Sequence, residues 1–351
     1  PYPTLFRAGF VDLISAGDIR DAVNGEIDEV NGLPAVSLTY RPLEGLTLRG
    51  SYSETVARPS LREVGYYASV DPGTDDQFVG NPLLTTSDIQ SIDGRLEYVF
   101  GDLGDLFAFS AFYKVIDRPI ESIVVRDALN VDGGSEAFFR TFFNNPSTAR
   151  LFGIEVEARK SFDFLEDLGL DFPGVELFEY LSIGGNYTYI AARVKRNPFE
   201  IQAASDAFVT VGDDVASFTG LKSERRLFGQ PKWIVNADVS YNNPDWGTTV
   251  TLAYFAISDI LDAAGTTALG ANSEFAVANR LDRYIDAFHT LDLVLSQRIW
   301  EGLNVKVSIK NLTDSTRRRI YDQDQTNRKY KERLRNQGRD YSFSVSYSQE
   351  F

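Results

Sequence analysis

The sequence predicts an all-β chain, an antiparallel up-and-down transmembrane β-barrel with about twelve strands present. Three observations predict it. Apolar or aromatic residues alternate with polar ones in run after run, the period of a strand with one oily and one wet face. Many runs reach about ten residues, the length that crosses a bilayer at a tilt, whereas soluble strands are typically about five or six. The links between runs alternate short and long, as they do in an outer-membrane barrel, with turns in the periplasm and loops outside.

A weak run covers about Leu5 to Leu13 and a firmer one Leu33 to Tyr40. Leu46, Leu48 and Tyr52 then oppose Thr47, Arg49 and Ser51, and Ile92, Leu96, Tyr98 and Phe100 oppose Asp93, Arg95 and Glu97. Phe107, Phe109, Ala111 and Tyr113 face away from Ser110 and Lys114; Ile154, Val156 and Ala158 face away from Glu155, Glu157 and Arg159. Leu181 to Tyr189, Trp233 to Tyr241, Trp246 to Ile257, Leu291 to Ile299, Leu303 to Lys310 and Tyr341 to Phe351 complete the series. Tight links at 41–45, 101–104, 242–245 and 301–302 alternate with long excursions around 56–87, 118–149, 194–230, 259–283 and 313–338, and the 163–177 link is intermediate. Aromatic residues at strand ends, among them Tyr40, Trp233, Trp246 and Trp300, are expected at the headgroup levels, with ordinary strand propensity as the alternative.

Composition narrows the function. The 351 residues carry a formal charge of −15, which offers no positive field for nucleic acid. Zero Cys and the single His289 remove disulfides, thiolate metal sites and most catalytic triads, so no catalytic residue, metal site or cofactor is assigned. With no Met, a processed protein or a piece of a longer one is expected. The polar faces hold Arg49, Arg95, Glu97, Glu155, Glu157, Arg159, Asp238, Asp292 and Lys306, too many charges for a dry core. Their interior is therefore expected to be wet or to hold a polar plug, and the function to be passage across a membrane.

Particular residues carry a resemblance. Tyr52-Ser53-Glu54-Thr55-Val56-Ala57-Arg58-Pro59, Phe78-Val79-Gly80-Asn81-Pro82-Leu83, Ala111-Phe112-Tyr113-Lys114 with Arg118-Pro119-Ile120-Glu121, Phe152-Gly153-Ile154-Glu155 and Asn311-Leu312-Thr313-Asp314 follow in order. Together they resemble segments of TonB-dependent outer-membrane receptors. The resemblance implies a bacterial outer-membrane active transporter that captures and imports a nutrient, such as an oligosaccharide or an iron chelate, through a plugged barrel. It also implies a 22-strand barrel, of which about twelve strands match only the C-terminal half. Residues 1–351 are thus read as one barrel segment, with the plug and the N-terminal barrel half outside it. The implied partners are outer-membrane lipid and lipopolysaccharide, the small nutrient ligand, the TonB energy-transducing complex acting through the plug, and the barrel-assembly machinery. That machinery would read Tyr341, Phe343, Tyr347 and Phe351 in the closing strand.

For the ligand, Tyr66, Tyr67, Asp71, Asp75, Asp76 and Phe78 combine aromatic faces with carboxylates suited to a sugar; a solvated turn is the alternative. Arg225 and Arg226, at the end of the 194–230 excursion, are expected at the ligand as well. Phe138, Phe139, Phe142 and Phe143 either wall a vestibule or pack a long loop onto its neighbours. Arg317, Arg318 and Arg319 suit lipopolysaccharide phosphates or another anion, against the alternative of a solvated charge run. The competing function is a self-contained passive pore, which needs the first strand to pair with the Tyr341 to Phe351 strand because open edges do not survive in lipid. A barrel enzyme and a soluble adhesion protein are weaker alternatives.

Overall fold

Period-two alternation resolves into two sheets, one long-stranded and one built on its end. The computed structural model describes residues 29–65, 68–70, 77–101, 104–126, 138–167, 177–196, 223–265, 282–322 and 329–348. The chain rises and falls through β1 (Ala35–Leu43) and β2 (Leu46–Ala57), then makes an excursion with the short helix α1 (Leu61–Val64), β3 (Ala68–Val70) and β4 (Gln77–Val79). It returns through β5 (Ser87–Phe100) and β6 (Asp105–Asp117), and a second excursion carries β7 (Ile120–Arg126) and β8 (Phe138–Asn144). Next come β9 (Ala149–Ser161), the short α2 (Phe164–Asp167), β10 (Leu181–Lys195) and β11 (Glu224–Arg226). β12 (Trp233–Asn243) and β13 (Thr248–Ile257) precede a third hairpin, β14 (Ile260–Gly265) and β15 (Asp282–Ile285). The end of the chain holds β16 (Phe288–Trp300), β17 (Leu303–Lys310), a fourth hairpin of β18 (Thr316–Asp322) and β19 (Lys329–Asn336), and β20 (Asp340–Tyr347).

The long strands form a twelve-stranded sheet in the order β1-β2-β5-β6-β9-β10-β12-β13-β16-β17-β20, with β11 paired to β10. This wall is antiparallel throughout and connects sequence neighbours, an up-and-down topology. A strand of about ten residues tilted by about 45° spans roughly 24 Å, which matches the ~25 Å apolar band of an outer-membrane barrel. One face of the wall is correspondingly oily and uncovered: Leu38, Ile92, Phe109, Val156, Ile183, Val239, Leu252, Leu295, Phe343 and Val345 are all exposed. The edge strands β1 and β20 are not paired with each other among the described residues.

The tight links lie at one end of the wall. Gly45 and Gly302 turn there with φ of 76° and 82°, and a Cβ on either would meet a neighbouring carbonyl, that of Val99 at 2.2 Å or Ser348 at 2.3 Å. Only glycine fits a left-handed turn pressed against the next strand. The observed β13 starts at Thr248, two residues later than the alternation suggested, because Trp246 belongs to the turn.

At the opposite end the excursions differ from expectation. They were expected as loops, yet four of them fold into hairpins that join as an eight-stranded crown, β19-β18-β15-β14-β7-β8-β4-β3. Hairpins from separate excursions meet side by side, antiparallel at β15 and β18 but parallel at β7 and β14 and at β4 and β8. Such pairing satisfies backbone groups that a long loop would leave to water. The dry clusters lie here and at the junction: Phe78, Leu84 and Phe142; Ile123, Phe143 and Ala264; Leu261, Tyr284 and Ile320; and Ala149, Leu151, Val194 and Leu227. The weak run from Leu5 to Leu13 lies outside the described residues.

In the junction cluster Phe112 lies over Gly153, its register partner, where a Cβ would sit 2.2 Å from the ring. Glycine in a strand covered by an aromatic ring marks such a close approach. Gly153→Val should therefore destabilise the wall by about 1–3 kcal/mol through overpacking, read as a lower urea midpoint for the folded, heat-modifiable gel band. Adding Phe112→Ala should recover part of the loss, and additive losses in the double variant would count against this contact.

Candidate functional site

The polar face of the wall is a charge ladder. Arg95 donates to Glu97 at 3.0 Å, to Glu157 at 2.8 Å and to Ser110 at 3.2 Å, while Arg49 lies 3.7 Å from Glu97. Ala108, fully buried between them in register, leaves room for these long side chains. Farther along, Arg159 donates to both oxygens of Asp238 across the intervening Gly184 at 3.0 and 3.3 Å. A Cβ on Gly184 would come within 2.7 Å of that guanidinium. Paired charges side by side are what a wet or plug-facing interior tolerates.

Above the ladder, the residues quoted for the resemblance act as latches of the crown. β6 ends at Asp117, and Arg118 takes a φ of 50° before Pro119 leads into β7 at Ile120. Its carbonyl accepts from Ser87 at 2.7 Å and from Asn144 at 3.0 Å. Its guanidinium donates to Asp88 at 2.7 Å, and that carboxylate raises the Arg118 pKa above its ordinary value. Gly80 packs so closely that a Cβ would meet the Gly65 carbonyl at 1.9 Å, and Asn81 donates to the Phe142 carbonyl at 2.9 Å. Asn311, at a φ of 56°, takes Asp292 on its amide at 2.8 Å and donates to the Gly338 carbonyl at 2.9 Å. The last hairpin is thereby pinned at both ends to the wall.

The interior of the crown is rich in arginine. Arg225 donates twice to Glu121, at 2.7 and 3.0 Å, with side chains 2% and 0% exposed. Asn145 adds a bond to Glu121 at 2.8 Å and another to the Lys195 carbonyl at 2.9 Å. Asp262 is a second centre: Arg283 donates to it at 2.8 Å, Arg140 reaches its backbone carbonyl at 2.6 Å and its carboxylate at 3.4 Å, and Arg319 lies 3.8 Å away. Arg196 pairs with Asp282 at 2.7 Å and Arg226 with Asp259. The Phe78 ring carries two guanidinium groups, Arg62 at 3.6 Å and Arg140 at 4.9 Å from its centroid, and stacks on Phe142.

The expected ligand residues divide accordingly. Phe78 is buried in the crown on β4, whereas Arg225 and Arg226 lie on β11 of the wall sheet and are engaged by the carboxylates of Glu121 and Asp259. Tyr66, Tyr67, Asp71, Asp75, Asp76 and Phe351 lie outside the described residues. Phe142 and Phe143 are buried in crown clusters, the packing alternative of the two given for that segment. Arg317 sits over the Phe288 ring at 4.6 Å and Arg318 is exposed, whereas Arg319 turns towards Asp262. Tyr341, Phe343 and Tyr347 are exposed along β20. His289 is exposed on the oily face beside Tyr254. Alternation did not single out Glu121, Arg140, Asn145, Asp262 or Arg283, because crown positions depend on contacts between excursions far apart in sequence. A carboxylate heading the apolar run Ile120 to Val125 was the one available sign.

A family model described as TonB dependent receptor-like, beta-barrel, matches residues 15–312. Among solved structures, a mutant of the ferric enterobactin receptor PfeA of Pseudomonas aeruginosa in complex with enterobactin gives a TM-score of 0.51 at 15% identity, over 90% of this chain and 40% of that one. Another mutant of that receptor gives 0.50 at 16% identity, again over 90% and 40%. The siderophore receptor PirA of Acinetobacter baumannii gives 0.48 at 14% identity, over 90% and 41%. At these identities the likeness is one of fold, and the chain spans about two fifths of the length of these receptors. A search of curated proteins finds no match.

Removing one partner of the buried Glu121–Arg225 pair strands a charge. Glu121→Gln should destabilise the crown by about 3–5 kcal/mol, read as faster protease cleavage and amide exchange between β7 and β8. Glu121→Leu with Arg225→Met should cost less than the single change; equal or greater damage would mean that the pair itself holds the crown.

Proposed function

The chain belongs to the TonB-dependent receptor-like β-barrel family, and from that premise we propose that it forms wall and mouth of an active importer in the bacterial outer membrane. The wall separates lipid from a polar interior, and the crown receives the ligand. We read residues 1–351 as a barrel segment that works with a plug and further barrel strands. The plug would contact the charge ladder and be remodelled by force from the TonB complex, while the barrel-assembly machinery would recognise β20. The role is capture and transport, without catalysis.

The proposed ligand is an iron chelate, and the observation that carries this choice is the clustering of guanidinium groups at the crown. Arg140 and Arg283 are buried against Asp262 and Phe78, and the part-buried Arg62 and Arg319 stand beside them, so that four guanidinium groups set a field suited to an anionic chelate, with Arg62 and Arg319 the ones within its reach. The fold neighbours include a receptor bound to enterobactin, which supports the same class. An oligosaccharide ligand rests on Tyr66, Tyr67, Asp71, Asp75 and Asp76 alone. A passive pore fits less well, since it needs the β1–β20 pairing that the described strands lack.

The test uses the full-length receptor, in outer-membrane vesicles for binding and in intact cells for uptake, with ferric enterobactin and a neutral oligosaccharide as probes. Saturable binding of the ferric chelate, with uptake that stops when the proton gradient is collapsed, is the expected result. Arg62→Ala should weaken that binding about three- to tenfold, the range of a cation and aromatic contact. Tight oligosaccharide binding that is lost in Tyr66→Ala with Tyr67→Ala, with no chelate binding, would reverse the assignment. Uptake indifferent to the gradient would favour the pore.

A further inference from the structure

Arg150 of β9 and Arg193 of β10 are direct register partners, so both side chains leave the same face of the wall. Counting by twos from them, that face carries Phe152, Ile154 and Val156 on β9 and Ala191, Tyr189 and Tyr187 on β10, which makes it the oily face. On its other side Arg193 is the partner of Arg226, so three arginines stand in one row across three strands. Like charges placed directly opposite in a sheet repel one another. Arg226 is relieved by Asp259. Arg150 and Arg193 are exposed, and neither has an ion pair or hydrogen bond among the described residues. Of the carboxylates at that level, Asp117 faces Arg118 and Thr148 and Asp88 holds Arg118, while Glu224 stands opposite Lys195 in register.

Depth along the strand says what neighbours this pair. Arg150 is the second residue of β9 and Arg193 the third from the end of β10, both at the crown end. An arginine on a lipid-facing surface costs roughly 2–4 kcal/mol at the midplane but about 0–1 kcal/mol near the interface. Immediately below lies an aromatic band, with Tyr113 opposite Phe152 and Tyr189 opposite Trp233. Such rings mark the headgroup level. The two guanidinium groups thus stand one pleat above the aromatic band, at the height of lipid phosphates. A pair of planar forks is well matched to phosphate oxygens.

We propose that Arg150 and Arg193 clamp the phosphate of an anionic membrane lipid in the leaflet on the crown side, whose acyl chains lie along Phe152, Tyr113 and Tyr189. The site rests on the membrane-spanning reading of the wall and lies outside the crown that receives the ligand. The bound phosphate removes the repulsion between the paired arginines and gives the barrel a fixed lipid neighbour.

The test is native mass spectrometry of the full-length receptor extracted from outer membranes in mild detergent. The wild type should retain a phosphorylated lipid, and Arg150→Gln with Arg193→Gln should reduce retention about five- to tenfold, the loss expected for charge-assisted contacts. Ferric enterobactin binding should be unchanged. Arg193→Gln alone, a milder change, should give an intermediate loss should the double variant fail to insert. Equal retention in wild type and variants overturns the clamp. Displacement of the lipid by inorganic pyrophosphate at equal concentration also overturns it, because the site would then be one for a free anion. Recovery of the wild type from the soluble fraction would instead overturn the membrane reading on which the clamp depends.

Discussion

Everything in this molecule follows from a constraint on the backbone. In hydrocarbon, N–H and C=O groups have no water to turn to, so each must be paired within the sheet. Strands then have to run long enough to cross, alternate strictly, and link sequence neighbours without leaving an edge inside the run. The wall obeys each requirement, from β2 through β17, with register partners unbroken over nine to thirteen residues in pairs such as β5 with β6 and β10 with β12. Alternation sends Ile92, Phe109, Val156 and Ile183 outward and Arg95, Ser110, Glu157 and Asp238 inward. The charge ladder is the inward consequence of the same period that makes the outer face oily.

The crown answers a different constraint. Beyond the hydrocarbon, water can satisfy backbone groups, and nothing forces the excursions into order. Order comes instead from buried polar contacts between segments distant in sequence: Glu121 with Arg225, Asn81 with the Phe142 carbonyl, Arg140 with Asp262. A buried ion pair of this kind adds little net stability compared with a well-packed apolar contact, but it penalises any arrangement that separates the partners. A crown assembled from separate excursions gains more from such selectivity than from added cohesion.

The difference between the two constraints explains what was legible in the sequence. Wall strands could be read from period two because burial there depends on a residue's own parity. Even details such as the outward position of His289 and the inward positions of Arg95 and Glu157 came with the pattern. Crown strands were read as loops because their pairings are set by which excursions end up adjacent, a property of the folded wall. Arg225 and Arg226 illustrate the limit: the sequence singles out two arginines at the end of an excursion, but only the fold shows that Glu121, 104 residues away, occupies the first and Asp259 the second. The motifs that resemble the receptor family lie at the boundary between both regimes. Gly80, Asn81, Arg118 and Asn311 are recognisable because corners where wall becomes crown accept few residue types.

The same backbone constraint bears on the two edges of the wall. β1 and β20 are exposed along nearly their whole length, and among the described residues neither has a partner on its outer edge. In water such edges invite aggregation; in lipid each unpaired group costs several kcal/mol. Eight residues of β20 are thus incompatible with a bilayer unless another strand completes their pairing. The side chains agree, since Tyr341, Phe343, Val345 and Tyr347 stand on one face in register with Ile309, Val307, Val305 and Leu303, continuing the oily face up to the boundary without capping it. Past Asp340, which stands opposite Lys310 at the crown end, no charge, bulge or proline blunts β20, the devices by which a sheet meant to stop protects its edge. Pairing along this edge is what the described wall lacks, and each strand added there would widen the circumference.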